Sequence, residues 1–138
     1  MRLVLFALPL WLLATPAASA IDCLNGQSAD ILGVESWQLG EASNAEKTIA
    51  ITLTPLGEKG IRLIDGTIRF EDVLGERIGE FILERAREIP PDAPYVHTEV
   101  VAGTILERLE QLHPDDIAAI ACVSALVFDD GTLVEFSQ

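Results

Sequence analysis

Residues 117–136, IAAIACVSALVFDDGTLVEF, decide the fold. The first twelve are almost wholly apolar, as expected of a central strand buried on both faces. Asp130-Gly131 follows, a strong short-range hairpin signal. Thr132, Leu133, Val134, Glu135 and Phe136 then resume an alternating pattern and form a closing strand. A long apolar strand returning through a tight turn predicts a sheet.

Upstream, the same punctuation recurs. Residues 95–101 alternate Tyr95, His97, Glu99 and Val101 against Val96, Thr98 and Val100. Gly103 breaks that run. Ile105, Leu106, Leu109 and Leu112 sit at helical spacing, which predicts a short amphipathic helix with Thr104 as cap and Glu107 completing a capping box. The helix stops at His113-Pro114. Before Tyr95, Pro90, Pro91 and Pro94 make a stiff bend. Residues 77–89 fit two periods. Ile78, Phe81, Ile82, Arg85 and Ile89 suit a helix; Phe81, Leu83 and Ile89 suit a strand face. Neighbouring strands favour the strand.

Residues 61–70 place Ile64, Gly66, Ile68 and Phe70 on one face and Thr67 and Arg69 on the other. Asp65-Gly66 fits a hairpin turn, and better a bulge or tight spot inside this strand. Residues 47–54, KTIAITLT, alternate Ile49, Ile51 and Leu53 with threonines, the pattern of a half-buried strand. Gly40 and Asn44 mark the turn before it. A run over residues 31–39 carries Trp37. About seven strands at this spacing predict an all-β fold, an immunoglobulin-like β-sandwich with one short helix before the penultimate strand.

The beginning of the chain has a different character. Arg2 precedes an apolar run over residues 3–13, followed by TPAASA ending at Ala20. This is the pattern of a signal peptide with an A-x-A cleavage site. The run is too short to span a bilayer stably. Residues 1–20 are therefore expected to be removed, leaving 21–138 as one exported domain, periplasmic or secreted. A lipid anchor on Cys23 would want a small residue before it, and Asp22 stands there.

The chain has 138 residues and a formal charge of −13. The leader's single charge is Arg2, so the exported part is one unit more negative still. Such a balance argues against nucleic acid and anionic membrane as partners, and favours a basic partner or a cation. The two cysteines, Cys23 and Cys122, both lie after the leader. In an oxidising compartment they are expected to pair, which would pin the mature N-terminus.

The text PDDIAAIAC, residues 114–122, resembles the approach to the second cysteine of immunoglobulin domains, with Asp116 and Ala118 in place. Ile120 stands where that pattern has its tyrosine. The succession of strands over residues 46–101, with Phe70, Asp72 and Gly75 at a turn and a proline bend following, resembles small exported bacterial immunoglobulin-like domains of the FxLYD kind. Glu71 replaces that family's tyrosine. The resemblance implies an uncharacterised extracytoplasmic module more than an activity.

Catalytic motifs are not evident. Glu71, Asp72, Asp115, Asp116, Asp129 and Asp130 offer carboxylates for a hydrolase, but Asp at turns ordinarily accepts local backbone hydrogen bonds. Ser36 and Ser124 lack a nucleophile motif. His97, expected to point outward, and His113, in a loop, have no ligand spacing to the cysteines. No cofactor or metal is expected. The sequence thus predicts a non-enzymatic module that binds another envelope or secreted protein, with Tyr95, Asp129 and Asp130 as a candidate interaction surface and Trp37 as a core residue. The alternatives are an acidic inhibitor of a basic secreted enzyme, and a carboxylate-based hydrolase holding two carboxylates with opposed pKa shifts.

Overall fold

The computed structural model describes residues 21–41 and 45–137. The expected leader and the turn residue Asn44 lie outside these. Alternation of apolar and polar residues produces seven strands: β1 (Leu32–Glu41), β2 (Glu46–Pro55), β3 (Ile61–Asp72), β4 (Arg77–Ile82), β5 (Tyr95–Ala102), β6 (Ile117–Phe128) and β7 (Leu133–Glu135). One helix, α1 (Gly103–Gln111), and a 3-10 turn (Pro114–Asp116) connect β5 to β6. The strands form two antiparallel sheets in the orders β1-β2-β5 and β4-β3-β6-β7. This is an all-β sandwich of the immunoglobulin-like kind, with its helix before the penultimate strand.

The period of two decides what is buried. Ile49, Ile51 and Leu53 of β2 face Ile64, Ile68 and Phe70 of β3, and all six are buried. Phe70 meets Trp37 and Phe81 edge-on, with ring centroids 5.7 and 5.6 Å away. Aromatic pairs prefer that geometry because the ring edge is positive and the face negative. The β3–β6 register shifts between Asp65 and Gly66, where the sequence placed a bulge. Gly66 is required there, since a Cβ would come within 2.7 Å of the Cys122 carbonyl oxygen.

Cys23 and Cys122 are disulfide-bonded, with Cα atoms 5.5 Å apart. Cys122 lies on the outer face of its sheet, opposite in direction to Ala121 and Val123. It is buried because the segment before β1 lies over it. Ser28 pairs with Val123 in both directions (2.8 and 2.9 Å), and the Arg69 guanidinium donates to the Asp22 carbonyl. The bond therefore holds the segment before β1 against β6.

Several sequence expectations are corrected. Residues 77–89 are not one strand: β4 ends at Ile82, the Leu83 N–H and the Arg85 carbonyl still bond to Gly66 and Ile64 of β3, a turn follows at Arg85-Ala86, and Ile89 bridges Ile61. The capping box at Thr104 and Glu107 does not form. The helix begins at Gly103, where φ is +59°, and its N-cap Ala102 makes no side-chain bond. His97 points inward, not outward, and is 5% exposed. In β5 the more polar set, Tyr95, His97 and Glu99, faces the interior with Val101, while Val96 and Val100 face solvent. Burial of an imidazole is tolerated because Nε2 reaches Glu99 Oε1 at 3.1 Å. Finally, β6 is central in hydrogen bonding yet not covered throughout: Ala118, Ala119 and Ile120 are only half-buried.

Candidate binding groove

The incomplete cover on β6 has a structural cause. Strand β7 pairs only with Ala125, Leu126 and Val127, and Ser28 takes the bridge at Val123. Both the N–H and the C=O of Val123 turn away from β3 to meet Ser28. Hydrogen-bonding direction alternates along a strand, so Ala121, Ala119 and Ile117 aim the same way. The Ile117 N–H is taken by the Pro114 carbonyl. The Ala119 backbone and the Ile117 carbonyl have no strand partner on that side among the described residues.

Strand β1 is the outer strand of the opposite sheet and, among the described residues, pairs only with β2. Between β1 and the uncovered start of β6 runs an open groove of about 690 Å³, within the usual range for binding clefts. Residues 34–39 of β1 form one wall. Leu109 and Leu112 from the helical crossover, with Ile117 and Ala119 of β6, form the floor and far wall. Trp37 serves two surfaces. One edge packs on Phe70 in the core, and the half-exposed remainder lines the groove.

The helix is placed by its apolar stripe. Leu106 and Leu109 are buried, and Ile105 packs over Gly79 so closely that a Cβ there would meet it at 3.0 Å. Arg108 fixes the helix from the polar side, reaching Asp72 Oδ2 at 3.1 Å and Glu76 Oε2 at 3.3 Å. Asp72 in turn caps the β3–β4 turn by accepting from the N–H groups of Leu74 and Glu76, each at 2.9 Å. The Glu76 N–H contributes most to holding the Asp72 carboxyl below its ordinary pKa, with Leu74 and Arg108 adding to it.

Two carboxylates, Glu35 and Glu110, are the charged residues lining the groove. Glu110 lies 3.7 Å from Lys47. Glu35 accepts from the Thr54 hydroxyl at 3.0 Å and has no cation within salt-bridge distance among the described residues. The polar breaks in β1, at Glu35, Ser36 and Gln38, together with the register shift between Val34 and Ser36, are devices that discourage indiscriminate edge pairing.

The residues singled out from sequence lie elsewhere. Tyr95 opens β5 opposite Leu53, half-buried, with the Arg87 guanidinium 4.8 Å above its ring. Burial pushes its phenol up to about 12. Asp129 and Asp130 form the β6–β7 turn. The Asp130 carboxylate accepts from the Thr132 N–H at 2.9 Å and pairs with Lys59 at 3.0 Å. Those bonds, Thr132 first, hold it well below its ordinary pKa. Asp72 and Asp130 are thus shifted in the same direction by turn-capping bonds. Lys59 also lies 5.3 Å from the Phe128 ring. These residues occupy the end of the sandwich around the β2–β3 loop, away from the helical end that holds the groove.

Sequence reasoning missed the groove because it is made by the shortness of β7, and Leu133, Val134 and Glu135 do not announce in their own pattern where pairing stops. The mixed polarity of residues 34–39 was the available signal. It departs from clean alternation, as a strand edge facing an opening would.

No group of three or more His, Cys, Asp or Glu residues arranged to hold a metal occurs among the described residues. No helix among them is long and apolar enough to cross a membrane. No family model matches the chain, and no curated protein matches it. An X-ray structure of a Northeast Structural Genomics Consortium target is similar over 78% of this chain and 82% of its own length, at 17% identity and a TM-score of 0.40.

Proposed function

We propose that this chain is an exported, non-catalytic binding module of the periplasm or extracellular medium, and that the groove between β1 and β6 is its contact face for another envelope or secreted protein. The observation that carries the reading is the combination of an apolar floor with strand backbone left unpaired beside it. A cleft with only one of these would be ordinary surface. Leader-like residues 1–20, the Cys23–Cys122 bond and the acidic composition support the exported setting. The resemblance to FxLYD-like modules belongs to the same reading.

Site-specific photo-crosslinking in the producing cell tests it. A photoreactive residue at Gln38, on the exposed groove wall, is expected to give a discrete protein adduct. The same residue at Glu58, in the β2–β3 loop, is expected to give none. Adducts of equal yield from both positions, or from Glu58 alone, contradict the proposal.

A further inference from the structure

We infer that the groove accepts an extended, basic segment of a partner protein, which adds as a strand along the free edge of β1. This rests on the groove being the contact face, as proposed above. Three observations converge on it. Six consecutive residues of β1, 34–39, line the groove, so alternate residues along this wall present backbone N–H and C=O groups to an occupant. Ala119 of β6 supplies further unpaired backbone on the opposite flank. Between the two edges lie Trp37, Leu39, Leu109 and Leu112, which offer apolar seats for every second side chain of an extended segment. Strand addition uses this division of labour, with backbone pairing giving affinity and alternate pockets giving selectivity.

Charge decides what kind of segment. The lining charges are Glu35 and Glu110, on a protein whose formal charge is −13. A second copy of this chain would bring like charges together at the same place. A segment alternating apolar and basic residues would seat its apolar side chains on the floor and turn its cations toward the acidic surface.

The probe is a short synthetic peptide alternating Val and Lys. It is compared with a Val–Glu peptide and with a Val–Lys peptide whose central Val is replaced by Pro. Each is titrated into the exported, oxidised protein, where Trp37 is the single tryptophan once the leader and Trp11 are removed. The Val–Lys peptide is expected to shift Trp37 emission to the blue, with affinity falling as salt is raised. The Val–Glu peptide is expected to leave emission unmoved. Proline removes one donor and interrupts pairing, so that peptide is expected to bind about tenfold or more weakly. Association of the Val–Lys peptide that leaves Trp37 unmoved is charge adsorption and overturns the inference. Equal binding of the proline peptide overturns strand addition, while the crosslinking result at Gln38 still decides whether the groove is the contact face.

Discussion

Tyr95 is the chain's single tyrosine, so its ionisation can be followed alone by ultraviolet absorbance. Its phenol is expected to titrate near 12, against an ordinary 10, because burial penalises the phenolate. A folded-state value raised above the unfolded one means that the fold favours the neutral form. That contribution to stability is complete below pH 10 and fades as pH climbs toward 12. A midpoint at the ordinary value in folded protein would contradict the buried placement. The acid side runs the other way. Asp130 is held below its ordinary 3.8, so its contribution is present above that pH and is lost as pH falls through the folded value. Asp130→Asn should therefore flatten the fall in stability below about pH 4, measured by urea unfolding at a series of pH values. An acid limb identical to that of the parent protein would count against the Thr132 and Lys59 bonds. Phe70, wholly buried between Trp37 and Phe81, carries a mechanical role. Phe70→Ala is expected to cost about 3–5 kcal/mol by loss of transfer energy and the cavity left behind. A cost near zero would mean that Trp37 does not lean on the core.

At the scale of elements, the chain's strands show how far pattern carries. Alternation in residues 47–54 and 61–70 fixed both inner faces correctly, because a one-residue slip would send Ile49, Ile51 and Leu53 to solvent. The bulge beside Gly66 was legible because a glycine inside a strand pattern marks either a bulge or a close approach of backbone. In β5 the same logic failed for His97. Polarity ranked the faces wrongly there, since Glu99, an in-strand neighbour two residues on, satisfies the ring. The helix was legible from Leu106 and Leu109, but not its start: side-chain capping was read from residue types, and Ala102 begins the helix without it. The disulfide was anticipated from count and compartment. That it would pin the N-terminal segment was legible too, but not that Cys122 faces outward with the residues before β1 as its cover, since nothing local shows either. Replacing both Cys23 and Cys122 by Ser should lower stability by about 2–5 kcal/mol and accelerate amide exchange at Ser28, leaving the β3–β6 ladder formed. Unchanged exchange at Ser28 would show that the segment holds without its covalent tie.

At the scale of the whole molecule, the sandwich is asymmetric in how it closes. At the β6–β7 end, Lys59, Asp130, Thr132 and Phe128 knit loops together. At the helical end, α1 plugs the space beneath β4 and β5 and is anchored through Arg108 to the Asp72 turn. The first device does not reach the flank between β1 and the start of β6, and α1 meets that flank only from below, giving Leu109 to the floor and leaving both strand edges open. The core is thereby sealed at the ends while one side keeps two strand edges facing a shared apolar floor. Among the sites weighed from sequence, Tyr95, Asp129 and Asp130 sit where the fold is already knit. The groove sits where pairing is unfinished, and the long-range topology that puts it there cannot be read from one strand at a time.

Residue-resolved amide hydrogen exchange, with and without the Val–Lys peptide, bears on those two free edges without an intermediary. In the protein alone, amides of residues 34–39 that do not pair with β2 should exchange quickly, as should Ala119, while Ile68 and Phe70 in the β3 ladder exchange slowly. The peptide should slow the quick set and leave the Asp129–Asp130 turn unaltered. Slow exchange throughout residues 34–39 and at Ala119 before any peptide is added, or peptide-dependent slowing confined to that turn, would contradict the open groove and its occupant.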